Sequence, residues 1–225
     1  MSQHRCFDFA ALGPRERYKL LIGTVVPRPI AWVTTRSPEG RVNAAPYSFF
    51  NCLSADPPIL ALGVENHPDM SFKDTALNIR LTEEFTVNIV DHANVEAMNT
   101  CAVAFPAEVD ELAMAGLSAV AGDKVSCPRI GEAPVALECR RHLTLELGRS
   151  REIILGLVLA VHIREDLLDP VRLHVDQQDL DAVGRMGGHG YANTRDYFEL
   201  VTPGVAEWWN RRAGTETDHG QVADD

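Results

Sequence analysis

Ser71, Lys73 and Thr75 lie within five positions of one another in "SFKDTALNIR". Phe72, Thr75, Ala76 and Ile79 recur there at helical spacing. A helix N-terminus presents unpaired backbone N–H groups and the positive end of the peptide dipoles. Two hydroxyls and an ammonium in such a turn suit a phosphate monoester. The same residues also describe an ordinary helix, opened by the Ser71-x-x-Asp74 capping pattern and carrying an exposed lysine. Asp69 and Asp74 flank Lys73, and a phosphate monoester carries about −1.5 to −2 charge. Backbone N–H groups and hydroxyls would therefore supply much of the binding.

A second cluster lies upstream, in "NAAPYSFFN" (Asn43 to Asn51). Ser48, Asn51 and Ser54 are interleaved with Tyr47, Phe49 and Phe50, and Thr34 and Thr35 end the preceding apolar run. Pro46 removes a backbone donor and marks an edge or a bulge. A locally unpaired strand exposes backbone groups that can read the edge of a heterocycle. Ala44 and Ala45 leave room for a flat ring. A proline-containing edge strand with aromatic core residues is the other reading. The glycine-rich "GRMGGHGYANT" (Gly184 to Thr194) surrounds Arg185, His189 and Tyr191. It reads as a surface loop, or as backbone able to approach a flat ligand. It does not match the dinucleotide fingerprint, which needs G-x-G-x-x-G between a strand and a helix.

Other chemistries leave no local signature. GxSxG, HExxH and GxxxxGK[ST] are missing, and the eight histidines form no close pair at metal-ligand spacing. The five cysteines are scattered without a CxxC, which reads as reduced thiols. Cys52 sits beside the aromatic cluster and reads either as redox-active or as a buried inert thiol.

Both clusters need a scaffold. Pro14 to Gly23 reads as a short helix, with proline in its first turn and glycine at its stop. Pro29 to Asn51 reads as a hairpin around the Ser37-Pro-Glu-Gly40 turn. Ile59 to Glu65 and Glu84 to Val90 read as strands, and Asn94 caps a helix over "NVEAMNTCAVAF". "LECRRHLTLEL" alternates, placing Leu137, Cys139, Leu143, Leu145 and Leu147 on one face. It pairs through "GRSR" with the apolar run Glu152 to Arg164, and "DYFELV" forms a last strand. Adjacent antiparallel strands without regular β-α alternation imply a mainly β (α+β) barrel with a few peripheral helices.

Net charge is −11, which disfavours nucleic acid and anionic membrane as partners. The N-terminus shows no secretory h-region. The longest apolar run, Ile153 to Ile163, is about half the ~20 residues of a spanning helix. A cytoplasmic protein is expected. Ala213 to Asp225 carries four acids and no Lys or Arg, and reads as a solvated tail.

Taken together and in order, "VPRPIAWVTT", "GRVNAAPYSFFNCLSADPP", "SFKDTALNI", "EFTVNIV", "SCPRIGEAPVALEC" and "GRMGGHGYANTRDYFEL" resemble the flavin reductase-like family. The resemblance spans about Gly23 to Leu200. It implies the FMN-binding split β-barrel, with an arm and short helix over 1–22, the barrel domain over 23–202 and an extension over 203–225. It implies FMN held noncovalently, NAD(P)H as co-substrate, and a homodimer with flavin near the subunit interface. Arg28, Pro29, Thr34 and Thr35 would lie along the flavin. Ser48, Phe49, Phe50 and Asn51 would meet its ring and ribityl chain. Ser54, Lys73, Asp74 and Thr75 would surround its phosphate, and Arg185 and Tyr191 would reach it from the glycine loop. The implied activity is hydride transfer from NAD(P)H to flavin, with no side-chain acid or base required. The reduced flavin would pass to a monooxygenase or another acceptor. A flavoredoxin-like electron carrier without NAD(P)H activity, or a flavoenzyme acting on a small organic molecule, fits the same residues.

Overall fold

A computed structural model describes residues 3–148 and 151–216. Two residues of the expected "GRSR" turn, and the acidic tail from 217 onward, lie outside it. The described chain forms two compact units, one running to Arg195 and the other beginning at Asp196.

The first unit is built on one seven-stranded antiparallel sheet. Its order is Val42–Tyr47, Ala31–Arg36, Glu84–Ile89, Val135–Leu147, Arg151–Ile163, Pro58–Glu65 and Phe50–Ala55. The expected single strand through Asn51 is two strands. Ser48 and Phe49 carry the chain from one edge of the sheet to the other. The edges therefore meet at that corner with no ladder between them, a split rather than a closure.

The middle of the sheet is buried on both faces. Ala31 and Val33 face one core with Leu62, Phe85 and Ile154, and the helix Asp74–Thr82 covers it with Ala76 and Ile79. Trp32 faces a second core with Met98, Cys101, Leu112 and Ile130. This is why "IAWV" reads as a continuous apolar run rather than as an alternation.

Four local expectations are corrected. Ser71 does not open the helix: its hydroxyl donates to Asp69 Oδ1 at 2.6 Å, and the helix starts at Asp74 with Lys73 at the cap. The helix expected over "NVEAMNTCAVAF" ends at Thr100; Asn94 holds its N-cap position but makes no side-chain cap bond there, its amide donating instead to Asp91 Oδ1 at 2.7 Å. The five residues of "LECRRHLTLEL" do not share a face. The ladder pairs Arg141 with Gly156 and Leu143 with Leu155, so His142 is a bulged extra residue. Cys139 therefore stays buried while Leu143, Leu145 and Leu147 turn outward, 47%, 44% and 49% exposed. "DYFELV" is not a strand. It belongs to the second unit, whose helix Val205–Glu216 carries Trp208 and Trp209 edge to face, 4.7 Å between ring centroids.

No helix among the described residues is long and apolar enough to cross a membrane, and Ile153 to Ile163 is a sheet strand. The five cysteines are free, with Cys6 and Cys52 exposed and the other three buried.

Gly156 shows how tightly the first core is filled. A Cβ there would lie 2.3 Å from Cζ of the buried Phe85 ring. Gly156→Ala should lower stability by about 1–3 kcal/mol, read as a fall in the urea midpoint at unchanged m-value.

Candidate functional site

The strand Val42–Tyr47 has a neighbour on one side only. Ala44 N points outward and donates to Glu111 Oε2 at 3.2 Å. In an antiparallel strand outward N–H groups recur every second residue. Pro46 shares that parity, so the donor it lacks is one the ladder never needed. Along this free edge run two adjoining chambers, of about 190 and 180 Å³. Pro46, Tyr47 and Ala102 line both. Neither reaches the ~300 Å³ of a small ligand cleft alone; joined end to end they do.

The first chamber is set by the N-terminus of helix Asp74–Thr82. Lys73 holds the cap position without a side-chain cap hydrogen bond, so the first-turn N–H groups are left without the usual partner. Thr75 is buried, and its Oγ1 accepts from Asn43 Nδ2 at 2.9 Å. Behind it Thr35 Oγ1 accepts from Asn78 Nδ2 at 3.0 Å. This relay locks helix to sheet and aims the turn at the chamber. Burial pushes the Tyr47 phenol up to about 12; the Thr75 hydroxyl opposes that shift, and the Asp74 and Glu111 carboxylates add to it. Tyr47 therefore remains a neutral donor across the working pH range. Burial also pushes the Cys101 thiol, in the same wall, up to about 11, which leaves it protonated and unreactive.

The second chamber opens at the glycine-loop end of the same edge. Ile30, Pro46, Met98 and Ala102 form its walls, and Ser48, Asn99, Arg185 and Tyr191 its polar rim. The Arg185 guanidinium stacks on the Tyr191 ring, 4.5 Å from its centroid, and donates to Gly188 O at 2.6 Å. The Tyr191 hydroxyl reaches Asn99 Oδ1 at 3.5 Å. Gly184, Gly187 and Gly190 of this loop serve close packing, while Gly188 takes a φ of +59° in open space. A Cβ on Gly184 would stand 2.8 Å from Pro27 Cβ.

Arg28 holds this end together from behind. Its guanidinium donates to the carbonyls of Ile22 (2.8 Å), Val25 (2.7 Å) and Met186 (3.1 Å), and to Ser48 Oγ at 3.4 Å. It has no carboxylate partner among the described residues, and burial lowers its pKa. One buried cation thus ties the end of the helix Pro14–Thr24, the glycine loop and the rim serine.

The expected site residues therefore divide. Ser48, Lys73, Asp74, Thr75, Arg185 and Tyr191 line the cleft. Arg28 and Thr35 stand behind it. Pro29 pairs with Gly184, outside both chambers. Thr34 is buried on the opposite face, bonded to Pro128 O. Phe49 lies under Arg151, 4.1 Å from ring centroid to guanidinium, and Phe50 packs on the first core. Asn51 and Ser54 sit on the other edge strand. Asn43, Met98, Asn99 and Glu111 line the cleft without having been expected. Met98 carries the apolar signal of a helix; nothing local marks the other three as ligand-facing.

Residues 22–181 match the family described as "Flavin reductase like domain". An uncharacterized protein of Deinococcus radiodurans is 46% identical over 225 residues, 97% of this chain and 99% of that one. Two solved structures are also similar. Nitrilotriacetate monooxygenase component B from Bacillus cereus has a TM-score of 0.85 at 31% identity, over 89% of this chain and 100% of that one. Pseudomonas fluorescens 2-nitrobenzoate 2-nitroreductase has a TM-score of 0.83 at 34% identity, over 89% and 98%. The chain belongs to the flavin reductase-like family, and its neighbours are split-barrel proteins.

Removing the Arg28 guanidinium takes the shared donor from three carbonyls in part-buried bonds. Arg28→Met should lower stability by about 2–4 kcal/mol. Arg28→Lys should recover only part of that loss, because one ammonium cannot span the set. Urea unfolding of the three proteins measures both.

Proposed function

We propose that the chain holds FMN noncovalently in this cleft and catalyses its reduction by NAD(P)H. The observation that carries the reading is the meeting, along one unpaired strand edge, of an uncapped helix N-terminus bearing Lys73 with a second chamber walled in part by Ile30, Pro46 and Met98. Free N–H groups, a lysine and the Thr75 hydroxyl suit the phosphate. Ile30, Met98 and Pro46 suit a planar ring, with Ser48 and Asn99 to orient its polar edge. The residues fit the group.

When bound, the flavin supplies the redox chemistry, accepting a hydride from the nicotinamide. The chain's own part is positional. Lys73 and the helix turn anchor the charged end, and Tyr47, held neutral, donates toward the middle of the cleft. Arg28 keeps Ser48 in place, and the stacked Arg185–Tyr191 pair limits water at the rim. None of these groups has to take up or release a proton.

The likeness to component B of a nitrilotriacetate monooxygenase supports delivery of reduced flavin to a monooxygenase. The likeness to a nitroreductase supports direct reduction of a small organic acceptor. A second copy of the chain is the partner that the sheet surface favours. Leu143, Leu145 and Leu147 stand outward opposite Leu155, Ile153 and Arg151, an apolar strip a soluble monomer would not leave in water.

Three measurements test this. The purified protein should be yellow, or become so with FMN, and should then consume NADH or NADPH. Bound flavin without nicotinamide turnover would leave only an electron carrier. Lys73→Ala should weaken FMN about tenfold, the worth of one charged hydrogen bond, and Ser48→Trp should abolish retention by filling the ring chamber. Unchanged titrations in both variants would sink the site. Leu145→Glu should shift sedimentation from dimer to monomer.

A further inference from the structure

The cleft does not end at Lys73. A chamber of about 190 Å³ continues along the same edge strand, walled by Pro38, Arg41, Val42, Leu77, Leu81 and Val109. Asn43, Asp74 and Glu111 line both this outer chamber and the phosphate chamber, and so form the neck between them. The neck is poor in free donors. The Asn43 amide is committed to Thr75 and Thr35. Arg41, in the outer chamber, is paired with Glu39 at 3.6 Å. What remains at the neck is two carboxylates. Asp74 is half-buried. Glu111 is 8% exposed and is held in place by the Ala44 N–H at 3.2 Å.

We propose that Glu111, together with Asp74, makes this cleft select a flavin mononucleotide over the dinucleotide. The inference rests on the FMN reading and adds its specificity determinant. A mononucleotide ends at the phosphate beside Lys73. In a dinucleotide, a second phosphate and an adenylate follow, and their path along the strand is the neck. There the second phosphate would exchange water for two like charges, with the Asn43 amide already committed. Burial already raises the pKa of Glu111, and the neighbouring Asp74 and Asp110 carboxylates add to that shift. An incoming anion adds to a repulsion already present. The outer chamber is no larger than the phosphate chamber, and Val42, Leu77, Leu81 and Val109 give it an apolar side against which part of an adenylate could rest. Charge at the neck stands between that surface and the phosphate end of the cleft.

Equilibrium titration of the full chain with FMN and with FAD, followed by flavin fluorescence, tests this. The wild type should bind FMN at least about tenfold more tightly than FAD. Glu111→Gln keeps an acceptor for Ala44 N–H and removes the charge. It should narrow that ratio about fivefold or more, mainly by tightening FAD. Glu111→Asp should keep the wild-type ratio. FAD bound by the wild type as tightly as FMN would overturn the proposal, and needs no variant to be seen. FMN retained with the ratio unchanged in Glu111→Gln would overturn it equally. Failure of the wild type to bind FMN at all would instead remove the FMN reading beneath it.

Discussion

An unsatisfied strand edge organises this molecule. Backbone N–H and C=O groups shut away from water need partners, so an edge must be paired, covered or put to use. The Val42–Tyr47 edge is treated in each way along its length. Ala31–Arg36 pairs its inner side. Glu111 takes the outward N–H of Ala44. Pro46 has no outward donor to satisfy. The remainder lines the chambers. Had a further strand continued the ladder here, there would be no cleft, and Ser48 would not have to turn the chain toward the other edge.

Buried and part-buried charges fix the segments around the sheet, most of them through backbone. Arg28 collects carbonyls from two segments and Glu111 a strand N–H. Glu138, fully buried, accepts the N–H groups of Asp123 (2.8 Å), Lys124 (2.6 Å) and Val125 (3.1 Å), with His162 Nε2 2.6 Å from the same Oε1 that takes Asp123. Arg80 bonds Glu152 and Glu146 across the first core while stacking on Phe72. A single ion inside a protein is expensive unless fully bonded. Each of these ions therefore tolerates few arrangements of the loop around it. That intolerance is what gives long, irregular segments such as 104–134 a defined position.

Local pattern carried much of the fold. The period-2 runs, the Ser37–Gly40 turn and the proline at 46 led to an antiparallel, mainly β architecture, and each has its counterpart in the sheet. The misreadings share a cause. Ser71 and Asn94 are good capping residues by type, but Asp69 and Asp91 offered their neighbours better-placed acceptors. The alternation of "LECRRHLTLEL" is real, yet one bulged residue, His142, reverses which face meets water. A bulge depends on the partner strand, and that partner begins beyond the alternating run itself.

The cleft was legible only where its residues are contiguous. Lys73 to Thr75 and Tyr47 to Ser48 stood out because type and spacing already state a chemistry: a helix start with hydroxyls, and a broken strand with rings. The order of these segments was enough to point to the flavin reductase-like family. Asn99 and Glu111 carry no such local mark; they reach the cleft because the segments after Asp91 fold back over the Trp32 face of the sheet. Likewise, Thr34 and Thr35 differ by one position in sequence and by a whole face in space, so only pairing could say which stands near Asn43. Sequence determined the elements and the family, since those depend on local preference and on the order of motifs. Tertiary structure decided which polar groups meet in the cleft, because an inward or outward direction exists only once neighbouring strands and loops are in place.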